Sequence, residues 1–212
     1  MFELWVPITI AAAFLQNARS AIQKHLKGWL STTGATFVRF GYGAPVAITY
    51  LLILHFAVGL PWPEPNGMFV LYVIIGGVTQ ILATFLLVYL FGLRNFAVGT
   101  AYSKTEAIQA AAFGFIILAD PLSAGAGVAI LIGFAGVLLI SVAHTALTPS
   151  ALMAATFSRT AAIGLLSGAM FGLSAVGFRA ASLSLGGGKD SFMMEAGYSL
   201  ACATVFQTII ML

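Results

Sequence analysis

The sequence predicts an all-α fold, a polytopic bundle of transmembrane helices, from three observations: its composition, its mean hydropathy and the spacing of its apolar segments. Hydrophobic residues make up 60% of the 212 positions and charged residues 7%, and the mean hydropathy is +1.04. Soluble domains are about 25% charged. Nine basic and six acidic side chains cannot give a domain of this length a polar surface, so we expect lipid to face most of it.

Charge and cysteine content exclude two further features. The net charge of +3 is small and the cations are scattered along the chain, so the basic patch that nucleic acid requires is missing. Cys202 is the single cysteine and lies in an apolar run, where packing is its expected role. We therefore expect membrane lipid as a partner, no nucleic acid and no internal disulfide.

Seven apolar segments are long enough to cross a bilayer, which takes about 20 residues for about 30 Å of hydrocarbon. In chain order, the predicted spans are residues 4–26, 32–58, 68–92, 96–118, 122–145, 160–184 and 191–212. The first span lacks the cationic start and the cleavage site of a secretory signal, so we interpret it as a retained helix.

Polar residues, glycines and prolines separate these spans. The second span is followed by Gly59, which begins a run with three prolines and a tryptophan; this run predicts a short external turn. The boundaries that follow are Arg94 with Asn95, Asp120 with Pro121, and the glycine-rich run 186–190. The longest connection, residues 144–159, is the natural midpoint of the chain.

Internal similarity supports a repeat around that midpoint. Two neighbouring offsets, 155 and 156 positions, relate the pairs Lys24 with Arg179, Arg39 with Glu195, Gly41 with Gly197, and Tyr42 with Tyr198. An odd number of helices per repeat forces the second copy to insert upside down. The alternative is a generic seven-helix bundle in which these matches are coincidental.

The repeat predicts about seven helices of an expected ten, arranged as two inverted five-helix repeats. Residues 1–147 form the first repeat, and residues 148–212 form the start of the second, with its first two helices. On this interpretation we expect the sequence to be truncated after the seventh helix.

Three stretches resemble a known family. Residues 13–28 and 34–40 place a lysine after the first helix and Arg39 in the second. Residues 101–109 belong to a fourth helix that ends at an acidic turn, and residues 131–141 form a glycine-spaced fifth helix. In these features the whole chain resembles the EamA-like branch of the drug/metabolite transporter superfamily.

The resemblance implies a central polar cavity between two inverted repeats, from which small metabolites or drug-like molecules are exported by alternating access. It also implies a multi-pass protein of a bacterial inner or plasma membrane. The expected partner is a small-molecule substrate, no cofactor is expected, and coupling to a proton or another ion is left open.

The fourth span carries the strongest candidate site. Glu106 lies about 16 Å from the start of that span, close to mid-bilayer, where ionisable groups are costly and are functional candidates. Tyr102, Glu106 and Gln109 share one helix face, with Thr105 beside them. Glu106 is expected to contact a substrate amine or to couple transport to protons. The alternative is a pair with a cation such as Arg39 that fixes helix packing only.

The first and third spans add polar residues to the predicted substrate-binding set. Gln16 and Asn17 lie deep enough in the first span for cavity lining to be the favoured interpretation. For Arg19, Lys24 and Lys27 the alternative is that they only anchor the end of the helix at lipid head groups, and this alternative is preferred for Lys27. Gln80, near the middle of the third span, is expected to hydrogen-bond a neighbouring helix or the substrate.

Residues related by the repeat complete the set. Arg39 and Tyr42 belong to the second span, and Glu195 and Tyr198 to the seventh. If the repeat holds, Glu195 and Tyr198 approach Arg39 and Tyr42 from the pseudo-symmetric side, with complementary charges.

Small residues spaced by four predict close helix contacts. Two ridges have this spacing, Gly164 with Gly168 and Gly172, and Gly125 with Ala129 and Gly133. We expect both ridges at helix interfaces.

An enzyme is the less favoured function. The three histidines, His25, His55 and His144, lie near predicted helix ends, and no serine lies in a nucleophile turn beside a base. No cluster has the spacing of metal ligands. We therefore expect no enzyme and no metal site, with a non-transporting membrane scaffold or a membrane-embedded enzyme as the alternatives to a transporter.

Overall fold

The computed structural model describes residues 5–93, 103–119, 121, 124–142, 159–187 and 191–212. Within these ranges all regular secondary structure is helical. The helices are α1 (Trp5–Leu26), α2 (Thr32–Gly41), α3 (Gly43–Phe56), α4 (Gly67–Leu93), α5 (Glu106–Leu118), α6 (Ala124–Val142), α7 (Arg159–Ser184) and α8 (Phe192–Met211). The predicted all-α class is confirmed, and each predicted span contains a helix.

The second span is divided into α2 and α3 at Tyr42. The N–H of Tyr42 still donates to the carbonyl of Val38 at 3.3 Å, so the chain does not leave the helical path. Pro45 lacks the N–H that would bond the carbonyl of Gly41, and this missing bond explains the interruption. The two helices together form one apolar segment of 25 residues.

Within the described ranges, three segments are long and apolar enough to cross a membrane: Thr32–Phe56, Gly67–Leu93 and Arg159–Ser184. Large apolar side chains also cover the outside of the described bundle, among them Phe14, 72% exposed, and Ile132, 68% exposed. Exposed apolar surface of this extent is unfavourable in water and ordinary in lipid. Both observations are compatible with a membrane protein.

Helix α7 lies at the centre of the described bundle, packed against α4, α5 and α8. Helices α4 and α7 run antiparallel. Ser167 donates to the carbonyl of Ala83 at 2.8 Å, and Gly177, further along α7, meets Gly76, which is earlier in α4. A Cβ atom on Gly177 would lie 3.2 Å from the Cα atom of Gly76. The two glycines therefore allow the backbones to approach closely.

Two loops lie together at one end of the bundle, which we call the Pro61 end. They are the connection 57–66 between α3 and α4 and the described residues that join α7 and α8, 185–187 and 191. The side-chain amide of Asn66 donates to the carbonyl of Ser184 at 2.6 Å, and the rings of Trp62 and Tyr198 meet edge to face at 6.4 Å. The opposite end, where α2 begins and α4 ends, is called the Thr32 end.

The two glycine ridges have different outcomes. Gly164, Gly168 and Gly172 are buried, and a Cβ atom on Gly168 or Gly172 would meet atoms of residues 105–110 within 3.4 Å. The predicted interface is therefore confirmed for this ridge. The second ridge is exposed, and a Cβ atom on Gly133 would meet nothing within 4 Å. The prediction is wrong for the second ridge, because α6 turns that face away from the described helices.

Candidate functional site

Polar side chains from four helices meet inside the bundle near the Thr32 end. Arg39 lies about 10 Å along α2 from Thr32, and Thr84 lies about 14 Å along α4 from Leu93, at about 1.5 Å per residue. We use the name arginine–glutamate cluster for Arg19, Arg39, Thr84, Thr105, Glu106 and Gln109.

Arg39 is held by a hydroxyl and by aromatic rings. Its Nη1 atom donates to Oγ1 of Thr84 at 2.7 Å, and the guanidinium group lies 5.5 Å from the ring centroid of Phe171 and 5.4 Å from that of Phe40. Thr84 is fully buried and donates its own hydroxyl proton to the carbonyl of Gln80 at 2.8 Å. These partners position the guanidinium group without neutralising its charge.

The start of α5 packs against α7. Gln109 donates through Nε2 to Oγ1 of Thr105 at 3.0 Å and to the carbonyl of Leu165 at 3.2 Å. A Cβ atom on Gly168 would lie 2.5 Å from Oγ1 of Thr105 and 3.2 Å from the backbone nitrogen of Glu106. The absence of a side chain at Gly168 therefore lets Glu106 start its helix directly against α7.

Glu106 is the acidic member of the cluster. It interacts electrostatically with Lys104, Arg39 and Arg19. None of these cations forms an ion pair with Glu106 at 4.0 Å or less, all four residues being in the described part of the chain. The carboxylate therefore interacts with the guanidinium groups through their charge and forms no direct ion pair with them. A direct packing pair of Glu106 with Arg39, the alternative suggested by the sequence, is not formed.

The other predicted residues near the Thr32 end lie outside this cluster. Asn17 is exposed and Gln16 is half-buried, its carbonyl accepting a hydrogen bond from Ser20 at 3.0 Å. Tyr42 points outward and is 75% exposed. Tyr102 lies outside the described residues.

Gln80 takes part in a second polar contact, midway along α4. Nε2 of Gln207 donates to Oε1 of Gln80 at 2.8 Å and to the carbonyl of Gly77 at 3.1 Å. Both side chains border a cavity of about 310 Å³, whose other polar lining residues are Arg179, Ser182, Ser199 and Thr204. Gln80 thus forms the interhelical bond that the sequence suggested and also borders a space that a small molecule could occupy.

Glu195 and Tyr198 lie at the Pro61 end, far from Arg39. Glu195 is buried and accepts hydrogen bonds from the backbone N–H of Gly187 and, at 3.1 Å, from the hydroxyl of Ser191. Tyr198 packs against the rings of Trp62 and Phe69. The expected approach to Arg39 and Tyr42 does not occur, because Arg39 is about 25 Å along the helical path from Phe56 at the Pro61 end.

Thr84, Gln207 and Arg19 are polar residues whose position the sequence interpretation missed. Thr84 and Gln207 are fully buried, and Nε of Arg19 is buried without a hydrogen-bond partner. The short connection between α1 and α2 was the available signal for Arg19. Arg19 lies as many residues before the end of α1 as Arg39 lies after the start of α2.

Comparison of the chain with protein-family models, with curated proteins and with solved structures finds no match.

The Gln80–Gln207 contact can be tested by a double-mutant cycle. Gln207→Leu leaves the amide of Gln80 without its partner, so we expect it to destabilise the protein by about 1 kcal/mol. Gln80→Leu should have a similar cost. The double variant replaces both polar groups and should cost less than the two single variants together. Thermal unfolding in detergent measures all three, and strictly additive costs would contradict the contact.

Proposed function

We propose that this chain belongs to an integral membrane transporter that exports small metabolites or drug-like molecules by alternating access across a central polar cavity. The observation that carries the proposal is Arg39, a cation about 10 Å inside an apolar helical segment, held by Thr84 and Phe171 with no acidic group in direct contact among the described residues. Charged groups at membrane depth are costly and commonly belong to solute pathways.

Two further features support a transporter. The arginine–glutamate cluster draws on α1, α2, α4 and α5, so a change in the packing of any of these helices would alter it. The cavity beside Gln80 and Gln207 adds uncharged hydrogen-bonding groups at the middle of α4. A purely structural scaffold has no need of a half-buried arginine without a direct ion pair, since a charge removed from water lowers stability unless it is paired.

The family and membrane assignments are part of the same proposal. We propose an EamA-like member of the drug/metabolite transporter superfamily with two inverted repeats, residues 1–147 and 148–212, in a bacterial inner or plasma membrane. Residues 13–28, 34–40 and 131–141 support the resemblance, and the three long apolar helices are compatible with the location.

Flux into liposomes tests the transport function. Purified protein is reconstituted and offered labelled amino acids, nucleobases, sugars, organic anions and a cationic dye, with protein-free liposomes as the control. At least one solute should equilibrate faster in protein-containing vesicles. If no solute of this panel moves in vesicles that contain folded protein, the transporter proposal is wrong.

Glu106 is proposed as the group that couples flux to protons. Glu106→Gln keeps the shape of the side chain and removes its titration, so the pH dependence of flux between about pH 5 and about pH 8 should flatten. The matched control is Glu64→Gln, an exposed position at the Pro61 end, which should retain the wild-type profile. An unchanged profile in Glu106→Gln would reduce Glu106 to a packing role.

A further inference from the structure

Helices α1 and α2 bring two arginines to the same level of the bundle. Nε2 of Gln23 donates to the carbonyl of Ala35 at 3.4 Å across the antiparallel pair. Arg19 lies one helical turn before Gln23, and Arg39 lies one turn after Ala35. Because the helices run in opposite directions, both turns lead away from the Thr32 end, and the two guanidinium groups interact electrostatically.

The environment of the two arginines carries excess positive charge. Glu106 is the acidic group with which both interact. The other acidic residues in the described part of the chain, Glu64 and Glu195, belong to the Pro61 end. Lys104, the third cation that interacts with Glu106, is exposed, so water solvates its charge. Between the helices, one carboxylate facing two guanidinium groups therefore leaves one positive charge unbalanced, which is expensive in an apolar environment.

Arg19 also has an unused donor. Its Nε atom is buried and lacks a hydrogen-bond partner, whereas Arg39 uses Nη1 on a neutral hydroxyl. A side chain that only anchored α1 at lipid head groups would extend its guanidinium group towards the water interface. The burial of Nε indicates that the guanidinium group of Arg19 is directed into the bundle instead.

We propose that Arg19 and Arg39 together bind the carboxylate of a small organic monoanion, which is the substrate of the transport function proposed above. A guanidinium group can donate two parallel hydrogen bonds to a carboxylate, and two such groups can donate to both of its oxygens. A single negative charge balances the excess, whereas a phosphate monoester would bring nearly two. Glu106 and the bound carboxylate then share the same cationic pair.

Arg19 is the residue that this proposal adds to the site. It supplies a donor that has no other partner, and it sits opposite Arg39 rather than on the same helix. A ligand held between α1 and α2 would also contact both helices at once, so movement of α1 relative to α2 would release it. The site is thus placed where a change in helix packing would alter affinity.

Equilibrium binding separates this proposal from the transport proposal on which it rests. The full chain is placed in nanodiscs of zwitterionic lipid, and calorimetric titration measures binding of acetate, benzoate and octanoate, with benzamide as the uncharged partner of benzoate. At least one carboxylate should bind and benzamide should bind at least about tenfold more weakly. A second set of nanodiscs with anionic lipid tests whether a head group with a net negative charge competes for the same pair, in which case the carboxylate affinity falls.

Variants assign the binding to the arginine pair. Arg19→Gln should weaken carboxylate binding about tenfold or more, and Arg19→Lys should weaken it less, because the charge remains and the paired hydrogen bonds are lost. Lys27→Gln, near the end of α1, is the matched control and should bind as wild type does. Unliganded thermal unfolding verifies that each variant is folded.

Two results would overturn the proposal: no carboxylate binds the folded wild-type protein, or Arg19→Gln binds as tightly as wild type. Carboxylate binding without flux would leave the site standing and refute the transport function. Flux of neutral or cationic solutes that is unaffected by Arg19→Gln would support the transport function and refute the carboxylate site.

Discussion

Gly172→Leu is expected to separate α5 from α7 and to destabilise the protein by about 1–3 kcal/mol. A Cβ atom on Gly172 would lie 2.8 Å from the backbone nitrogen of Ala110 and 3.2 Å from the backbone oxygen of Glu106. These are backbone atoms, so relief of the overlap requires α5 as a whole to move. Because α5 carries Glu106 and Gln109, the same variant should lose transport. Tryptophan fluorescence during thermal unfolding in detergent gives the stability.

Gly133→Leu is the matched control for this variant. Gly133 lies on α6, and a Cβ atom there would meet nothing within 4 Å. The added side chain should therefore leave the unfolding temperature close to that of wild type. Equal losses for the two variants would indicate that leucine is harmful at any helical glycine, and the close α5–α7 contact would then lack support.

Arg39→Met is expected to lower flux by about hundredfold or more while the fold remains intact. Arg39 is half-buried, and an apolar side chain of similar volume in place of a charge removed from water is often neutral or stabilising. Thr84 keeps its own bond to the carbonyl of Gln80, so its hydroxyl is not left without a partner. The cation that the proposed substrate requires is lost, and flux in liposomes together with thermal unfolding measures both effects.

Arg159→Met provides the comparison for Arg39→Met. Arg159 is the exposed first residue of α7, so its replacement removes the same charge at the end of the bundle. Its flux should stay within about twofold of wild type. If Arg39→Met transports as fast as Arg159→Met, the arginine–glutamate cluster is not part of the solute pathway.

The helices were predictable from sequence because each long apolar segment satisfies its backbone hydrogen bonds internally. Hydropathy and length thus locate α1, α4, α7 and α8 to within a few residues. The interruption at Tyr42 follows from Pro45, which has no N–H to donate to the carbonyl of Gly41, four residues earlier. It escaped prediction because the composition of the segment stays apolar on both sides.

Helix partners were less predictable than helices. The ridges at Gly168 and at Gly133 have the same spacing of small residues, and only the first lies at a contact. Spacing describes what a helix face permits, whereas the partner is decided by the chain connections and by the packing of the whole bundle.

The candidate site was predictable where its residues share one helix. Thr105, Glu106 and Gln109 follow from helical periodicity alone. The proximity of Arg19 and Arg39 depends on how α1 packs against α2. The distance of Glu195 from Arg39 depends on their positions along the bundle, which similarity between the repeats does not predict.

Cysteine labelling in liposomes most directly tests whether the cluster lies inside a bilayer and is reached by water. In a Cys202→Ser background, single cysteines replace Trp29, 81% exposed between α1 and α2, Ile132 on the apolar face of α6, and Gln109 in the cluster. A thiol reacts with a water-soluble maleimide as its thiolate, which forms in water and not in hydrocarbon. With reagent on both faces, the cysteine at position 29 should react fast, that at 109 more slowly, and that at 132 only after the protein is unfolded in denaturant. Equally fast labelling at positions 132 and 29 would contradict a membrane-embedded bundle, and no labelling at 109 would contradict a water-accessible pathway.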